Sequence, residues 1–190
     1  MIIGVLALQG DFEAHSAVLR RLGAIAREVR TPADLDGIDG LIIPGGESTV
    51  MTLGIEREGL AEPLRELIGS GTPTLGTCAG MIMLDRTHLG LLDVVVERNA
   101  FGRQLASFET DLEIPEFGDE PVRAVFIRAP WLREAADGVE VLAEVDGHPV
   151  VVRQGHVLAV AFHPELTDDA RVHAWLVNQV RQRAEEREHA

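Results

Sequence analysis

The stretch Pro73-Thr74-Leu75-Gly76-Thr77-Cys78-Ala79-Gly80-Met81-Ile82-Met83-Leu84 decides the fold. Pro73-Thr74-Leu75 is a short apolar approach, Met81-Ile82-Met83-Leu84 continues as a helix, and a Gly-x-Cys-x-Gly turn joins them. A strand, a tight turn presenting one nucleophilic side chain, and a helix together make a nucleophile elbow. Such a turn holds its central residue in strained backbone, and small neighbours let strand and helix approach closely. Cys78 is the only cysteine of the chain. A lone thiol is most often a small buried hydrophobe, so the elbow reading needs support from elsewhere in the sequence.

Outward from this stretch, the first half alternates strands with amphipathic helices. Residues 2–8 are a continuous apolar run, as in a strand buried on both faces. Residues 11–22 place Phe12, His15, Ala17, Val18, Leu19 and Leu22 in a helical rhythm, stopped by Gly23. Residues 25–29 and 40–43 read as strands, the second ended by Pro44-Gly45-Gly46. Residues 60–68 form a helix with Pro63 in its first turn, where proline is tolerated. This alternation predicts a doubly wound, mostly parallel sheet flanked by helices, a three-layer α/β fold of the flavodoxin-like kind. From residue 92 the rhythm changes. Residues 94–96, 122–127, 139–142 and 149–152 read as strands with short connections, some paired antiparallel. Residues 157–162 form another buried strand. A terminal helix follows, with Val172, Trp175, Leu176 and Val180 on one face and Thr167-Asp168-Asp169 as its cap. With no internal repeat or linker, residues 1–190 are expected to form one domain.

Composition narrows the function. The chain is 46% hydrophobic and 25% charged, ordinary for a folded domain. A formal net charge of −14 argues against a nucleic-acid partner, whose phosphates it would repel. No apolar run is long enough to span a bilayer, so no membrane association is expected. The apolar start lacks a basic segment and reads as a core strand, not a signal peptide. A single cysteine forms no intrachain disulfide, which fits a reducing cytoplasm. No Cys/His cluster has zinc-ligand spacing, so no metal and no cofactor are expected. Glu185-Glu186-Arg187-Glu188 reads as a solvated helix tail.

Two further motifs fall at strand ends, where doubly wound sheets place their sites. His163-Pro164-Glu165 follows the strand over residues 157–162. A lone histidine is usually satisfied by local backbone, but Pro164 keeps His163 extended. Glu165 can then sit beside its ring, directly or after a turn. A carboxylate on one ring nitrogen fixes the tautomer and stabilises the imidazolium, leaving the other nitrogen for the Cys78 thiol. That is the nucleophile, base and orienter of acyl transfer. Pro44-Gly45-Gly46-Glu47-Ser48-Thr49 has a plain reading as a strand-to-helix turn capped by Ser48 or Thr49. Its functional reading is an oxyanion hole, in which Gly45 and Gly46 bring backbone N–H close to a substrate carbonyl and the Ala79 N–H is the second donor.

These three motifs resemble a class I, triad-type glutamine amidotransferase. More narrowly, five blocks are similar to the glutaminase subunit of pyridoxal 5′-phosphate synthase: Leu6-Ala7-Leu8-Gln9-Gly10, Pro44-Gly45-Gly46-Glu47-Ser48-Thr49, Val95-Val96-Glu97-Arg98-Asn99-Ala100-Phe101-Gly102-Arg103-Gln104, Phe126-Ile127-Arg128-Ala129-Pro130 and Phe162-His163-Pro164-Glu165-Leu166-Thr167. The likeness spans nearly the whole chain, and the third and fourth blocks are its specific part. It implies hydrolysis of L-glutamine to L-glutamate and ammonia through a γ-glutamyl thioester on Cys78, with His163 and Glu165 completing the triad. It implies ammonia transfer through a tunnel to a separate TIM-barrel synthase subunit within a multi-subunit hetero-oligomer. There the ammonia joins a pentose phosphate and a triose phosphate. The resemblance places glutamine binding on Gly46, Glu47, Ser48, Arg98, Ile127 and Arg128. It places Gln9 and Gly10 near the docking face, with activity low until the synthase docks and helps complete the oxyanion hole. Arg98 and Arg128 are also cations of the kind that grip a carboxylate; surface ion pairing is the plainer reading in an acidic chain, but Arg98 lies in a block with Asn99 and Gly102 that has no obvious packing purpose, which favours a functional role.

One block departs from the family pattern. Leu84-Asp85-Arg86-Thr87 runs straight into His88-Leu89-Gly90-Leu91-Leu92, where family members usually carry several more residues. The surface beside Cys78 is therefore where this chain is expected to differ. Two rival functions remain at the level of sequence. One is a class I glutaminase feeding another acceptor, such as imidazole glycerol phosphate synthase, against which the Arg98-Asn99-Ala100-Phe101-Gly102-Arg103 block speaks. The other is a catalytically silent regulatory subunit, against which the intact Cys78, His163 and Glu165 set speaks.

Overall fold

The computed structural model describes residues 1–101 and 107–189. The chain begins with β1 (Ile2–Leu6), α1 (Phe12–Arg21), β2 (Ile25–Val29), β3 (Gly40–Ile43), α2 (Ser48–Arg57), α3 (Ala61–Gly69), β4 (Thr74–Thr77) and α4 (Ala79–Leu84). It continues with β5 (Val94–Glu97), β6 (Ser107–Leu112), β7 (Val122–Ile127), β8 (Trp131–Ala135), β9 (Glu140–Val145), β10 (His148–Gln154), β11 (Val157–Val160) and α5 (Arg171–Glu188). Seven strands form one sheet in the order β2-β1-β3-β4-β11-β10-β9. β2, β1, β3, β4 and β11 pair in parallel, and β10 and β9 extend the sheet antiparallel. The parallel part is the flavodoxin-like order, with β11 in the place of the fifth strand. Its strands read as unbroken apolar runs because both faces are covered: Leu41, Ile42, Ile43, Leu158 and Val160 are fully buried.

The two faces can be told apart along β4. A Cβ on Gly76 would meet Leu84 and Gly80 of α4, whereas the adjacent Thr77 reaches His15 of α1. Successive strand residues point to opposite faces, so α4 and α1 cover opposite sides of the sheet. α5 shares the α1 side, since its His173 touches His15. β1 and β3 are neighbours at the point where the strand order reverses, and that switch point opens a crevice at the carboxyl ends of the strands. The ends of β1, β3, β4 and β11 carry Gln9, Gly45, Cys78 and His163.

Two antiparallel ribbons, β5-β8 and β6-β7, stand outside this sheet. Neither β6 nor β8 is expected from the sequence. β6 carries Glu109 and Asp111 on an exposed edge, and β8 is mostly exposed after Leu132. Strands wet on one face lack the apolar run that reveals a buried one. Both expected helix caps are corrected. Glu47, not Ser48 or Thr49, caps α2, accepting hydrogen bonds from the N–H groups of Thr49 (3.1 Å) and Val50 (2.9 Å). α5 begins after Ala170 with no side-chain cap, and Asp169 instead accepts from the Arg171 N–H and guanidinium. The tail over residues 185–188 is exposed. Gly102, Arg103 and Gln104, part of the family-like block, lie outside the described residues.

The shortened connection is built around buried Asp85. Its Oδ1 accepts from the N–H groups of Thr87 (2.8 Å) and His88 (3.1 Å), and Gly90 N–H returns to its carbonyl at 2.8 Å. This turn closes toward β5. Residues 85–92 do not border the cleft beside Cys78.

Candidate active site

The elbow forms as its sequence requires. Cys78 lies between β4 and α4 at φ 48°, ψ −107°, a conformation that L-residues with side chains rarely adopt. Its N–H is held by the Val160 carbonyl at 2.8 Å. A Cβ at Gly80 would stand 1.9 Å from the Ile43 carbonyl oxygen, so α4 can meet β3 this closely only with glycine there. The side chain of Cys78 is 7% exposed, at the bottom of a cleft.

His163 comes to Cys78 from the neighbouring strand. Its N–H donates to the Val125 carbonyl at 2.9 Å, and the preceding Phe162 packs edge-on against Phe126, with ring centroids 5.7 Å apart. Pro164 leaves His163 extended at φ −106°, ψ 86° and opens a single 3-10 turn, Pro164–Leu166. That turn returns Glu165 to the ring, Nδ1 to Oε1 2.7 Å. Of the two routes open from the sequence, the turn is the one used. Nδ1–H therefore donates to the carboxylate, and Nε2 is left for the thiol. Gly45 completes the convergence: a Cβ there would lie 2.7 Å from His163 Cε1 and 3.3 Å from Cys78 Cβ. Burial disfavours a charge on the His163 ring, but the Cys78 thiol and the Glu165 carboxylate outweigh it and push its pKa up to about 10. An imidazolium paired with a sulfur anion is what a nucleophilic cysteine needs.

The cleft above these groups has a volume of about 330 Å³. Cys78, Ala79 and His163 border its floor, and Gly46, Glu47, Ser48, Arg98, Ile127 and Arg128 its rim, with Gln9 at one side. Gly10 lies one layer behind, where a Cβ would stand 1.8 Å from the Gly45 carbonyl oxygen. Every residue singled out in the sequence therefore falls in or against one crevice, with Glu165 buried beneath it. The Gln9 side chain accepts from the Glu47 N–H at 2.6 Å, fixing the loop after β3. The Thr49 and Val50 N–H groups, aided by Arg98, hold the Glu47 carboxyl below the usual carboxylate range. Arg98 stands 3.5 Å from Glu47 and 3.3 Å from the Thr49 hydroxyl.

Four bordering residues were not singled out: Asp11, Ile82, Asn99 and Pro130. Asn99 had a findable signal in its family-like block. Among the described residues, the non-glycine positive φ angles are at Cys78, Asn99, Arg128 and Asp146. The first three border this cleft. Asp146 belongs to the two-residue Asp146-Gly147 hairpin between β9 and β10, where a positive φ is ordinary. Backbone strain gathered at one crevice is a mark of function. Asp11, His163 and Glu165 also bring potential ligand atoms within 4.8 Å of one another. His163 and Glu165 already share the ring proton, which a cation would have to displace.

Residues 5–182 match the model of the SNO glutamine amidotransferase family. A protein from Carboxydothermus hydrogenoformans named pyridoxal 5′-phosphate synthase subunit PdxT is 53% identical over 187 residues, covering 95% of this chain and 98% of its own. One of the same name from Corynebacterium jeikeium is 52% identical over 196 residues, covering 98% and 100%. A crystal structure of a glutamine amidotransferase superposes with a TM-score of 0.88 at 46% identity, covering 95% of this chain and 99% of that one.

Proposed function

Because the chain belongs to the SNO glutamine amidotransferase family, we propose that it is the glutaminase subunit of a pyridoxal 5′-phosphate synthase, with Cys78, His163 and Glu165 as its catalytic triad. The convergence of Cys78, His163 and Gly45 from three separate strand ends carries this reading. L-Glutamine lies in the cleft with its side-chain amide over Cys78. Arg98 and Arg128 face its α-carboxylate, while Gly46, Glu47, Ser48 and Ile127 border it. His163 Nε2 holds the proton given up by the thiol, and the sulfur anion attacks the amide carbon. The N–H groups of the Gly45-Gly46 segment and Ala79 receive the oxyanion. Ala79 is the first residue of α4, whose opening N–H groups have no partner within the helix. The imidazolium then protonates the departing nitrogen. Ammonia leaves and a γ-glutamyl thioester remains. Water, losing its proton to His163, cleaves the thioester to glutamate and restores the thiol. Glu165 holds the ring in one tautomer throughout.

The ammonia passes to a TIM-barrel synthase subunit that docks near Gln9 and Gly10, in a cytoplasmic hetero-oligomer. The names of the relatives support this partner. No described helix is long and apolar enough to cross a membrane. Glutamate release from glutamine, measured for the chain alone and with its cognate synthase subunit, tests the reading. Strong stimulation by the synthase is expected. Hydrolysis indifferent to the synthase would point to another acceptor, and none in either case would make this a silent subunit.

A further inference from the structure

Two histidines that the proposed chemistry does not use lie directly behind Glu165. His15 on α1 and His173 on α5 are both fully buried. His15 Nδ1 is 2.8 Å from His173 Nε2, across 158 residues of sequence. His15 Nε2 is 3.3 Å from Glu165 Oε2 and 3.2 Å from the Thr77 hydroxyl. The array thus runs from Cys78 through His163 and Glu165 to His15 and His173, from the cleft to the far layer of the fold.

We propose that His15, backed by His173, is a positioning residue that fixes the second oxygen of Glu165 and so holds His163 in line with Cys78. The proposal rests on the triad reading above. Glu165 is fully buried at its side chain and spends Oε1 on His163. Oε2 has no well-directed hydrogen bond and meets His15 Nε2. A buried carboxylate oxygen left alone is costly, and a neutral ring nitrogen 3.3 Å away, which also meets the Thr77 hydroxyl, supplies electrostatic compensation without a competing charge when it carries the proton.

The tautomers follow from counting donors. A neutral imidazole has one N–H and one bare nitrogen. Burial first, then His173 and His163 nearby, lowers the His15 pKa well below its ordinary value. Burial and then Arg21 lower that of His173 to about 4. Both rings are therefore neutral at pH 7. If His15 carries its proton on Nε2, it donates toward Glu165, and its Nδ1 accepts from His173 Nε2–H. Of the four ring nitrogens, the bare His173 Nδ1 is then the one left without a partner, and it has none in the structure. The opposite arrangement would let the Thr77 hydroxyl donate to a bare His15 Nε2, but it would set that lone pair 3.3 Å from the carboxylate and bury an N–H of His173 with no acceptor. The first arrangement wins on both counts. A charged residue at position 15 would draw Glu165 away from His163, whereas a neutral donor leaves the carboxylate charge for the imidazolium.

The test compares His15→Gln, which places an amide nitrogen where Nε2 stood, with His15→Asn, which places it near Nδ1, and with His15→Leu. Two readouts are used: glutamine hydrolysis with the cognate synthase subunit, and alkylation by iodoacetamide of Cys78, the sole cysteine. Thermal unfolding identifies the variants that fold. His15→Gln is expected to stay near the wild-type level. His15→Asn and His15→Leu are expected to lose about tenfold in kcat and in alkylation rate at pH 7, with KM within about twofold, as for a change that misplaces the base without removing a substrate contact. Gln and Asn variants that behave alike, or a folded His15→Leu with wild-type kcat and alkylation, would overturn the proposal. If His15→Leu does not fold, the Gln and Asn pair decides by itself. Full hydrolysis by Cys78→Ser would instead show that the triad reading has failed, whatever the His15 variants do.

Discussion

The floor and the rim of the cleft are built by different means. The floor hangs on backbone: Cys78, His163 and Gly45 sit at the ends of three core strands, held by main-chain hydrogen bonds and by contacts that leave no room for a Cβ. The rim opposite the Gly46-Glu47-Ser48 segment hangs on two turns beyond the main sheet, one holding Arg98 and Asn99 after β5 and one holding Arg128 after β7, tied by the Ala100 N–H to the Ala129 carbonyl at 3.2 Å. Arg98 is half-exposed and makes its contacts through one flexible side chain. The floor thus resembles a core, where a change of one atom is felt. The rim resembles a surface, where a lost contact is absorbed by solvent. The difference suits the proposed division of labour: chemistry on the rigid part, recognition of glutamine on the adaptable part.

This contrast can be broken at several points. The largest effect is expected from Cys78→Ala, which should lower synthase-stimulated glutamate release by roughly 10⁴-fold or more while leaving the denaturation midpoint nearly unmoved. Gly80→Ala attacks the floor through packing alone. Its methyl group would lie 1.9 Å from the Ile43 carbonyl oxygen, and a loss of about 3 kcal/mol or more is expected in urea unfolding. A comparable loss is expected on acidification. Unfolding frees His15 and His173 to bind protons near their ordinary value, protons that the folded chain refuses. Stability therefore falls as pH drops below about 6.5 and keeps falling until the folded rings themselves titrate, by on the order of 3 kcal/mol at pH 5. Unfolding midpoints against pH should show this decline, and His15→Gln should make it shallower. The smallest effect belongs to the rim: Arg98→Ala should raise KM for glutamine by about tenfold with little change in kcat or stability. A large fall in kcat from Arg98→Ala would erase the distinction between floor and rim.

The floor was also the legible part. Gly-x-Cys-x-Gly, Gly45-Gly46 and His163-Pro164-Glu165 are short motifs whose geometry is local; each is ambiguous alone, and they became legible together because all three fall at strand ends of one sheet. β2, β3 and β7 were placed residue for residue because a buried or half-buried strand writes its environment into its side chains. β6 and β8 escaped because charged residues on a wet ribbon carry no such imprint. Glu47 escaped as a cap because a glutamate rarely fills that position. The His15 and His173 pair was beyond reach for another reason. Each sits at a core position in the rhythm of its own helix, and only the fold shows that α1 and α5 bring the two together. A histidine on an otherwise apolar helix face was the one available hint.

The account stands most directly on Cys78 as the residue that attacks glutamine. A glutamine analogue with an electrophilic carbon at the amide position, incubated with the chain and its synthase subunit and followed by peptide mass spectrometry, addresses this directly. One adduct per chain on the Cys78 peptide, suppressed by excess glutamine and absent from Cys78→Ala, is the expected result. Glutamine hydrolysis persisting in Cys78→Ala, or an adduct on another residue with Cys78 unmodified, would contradict it.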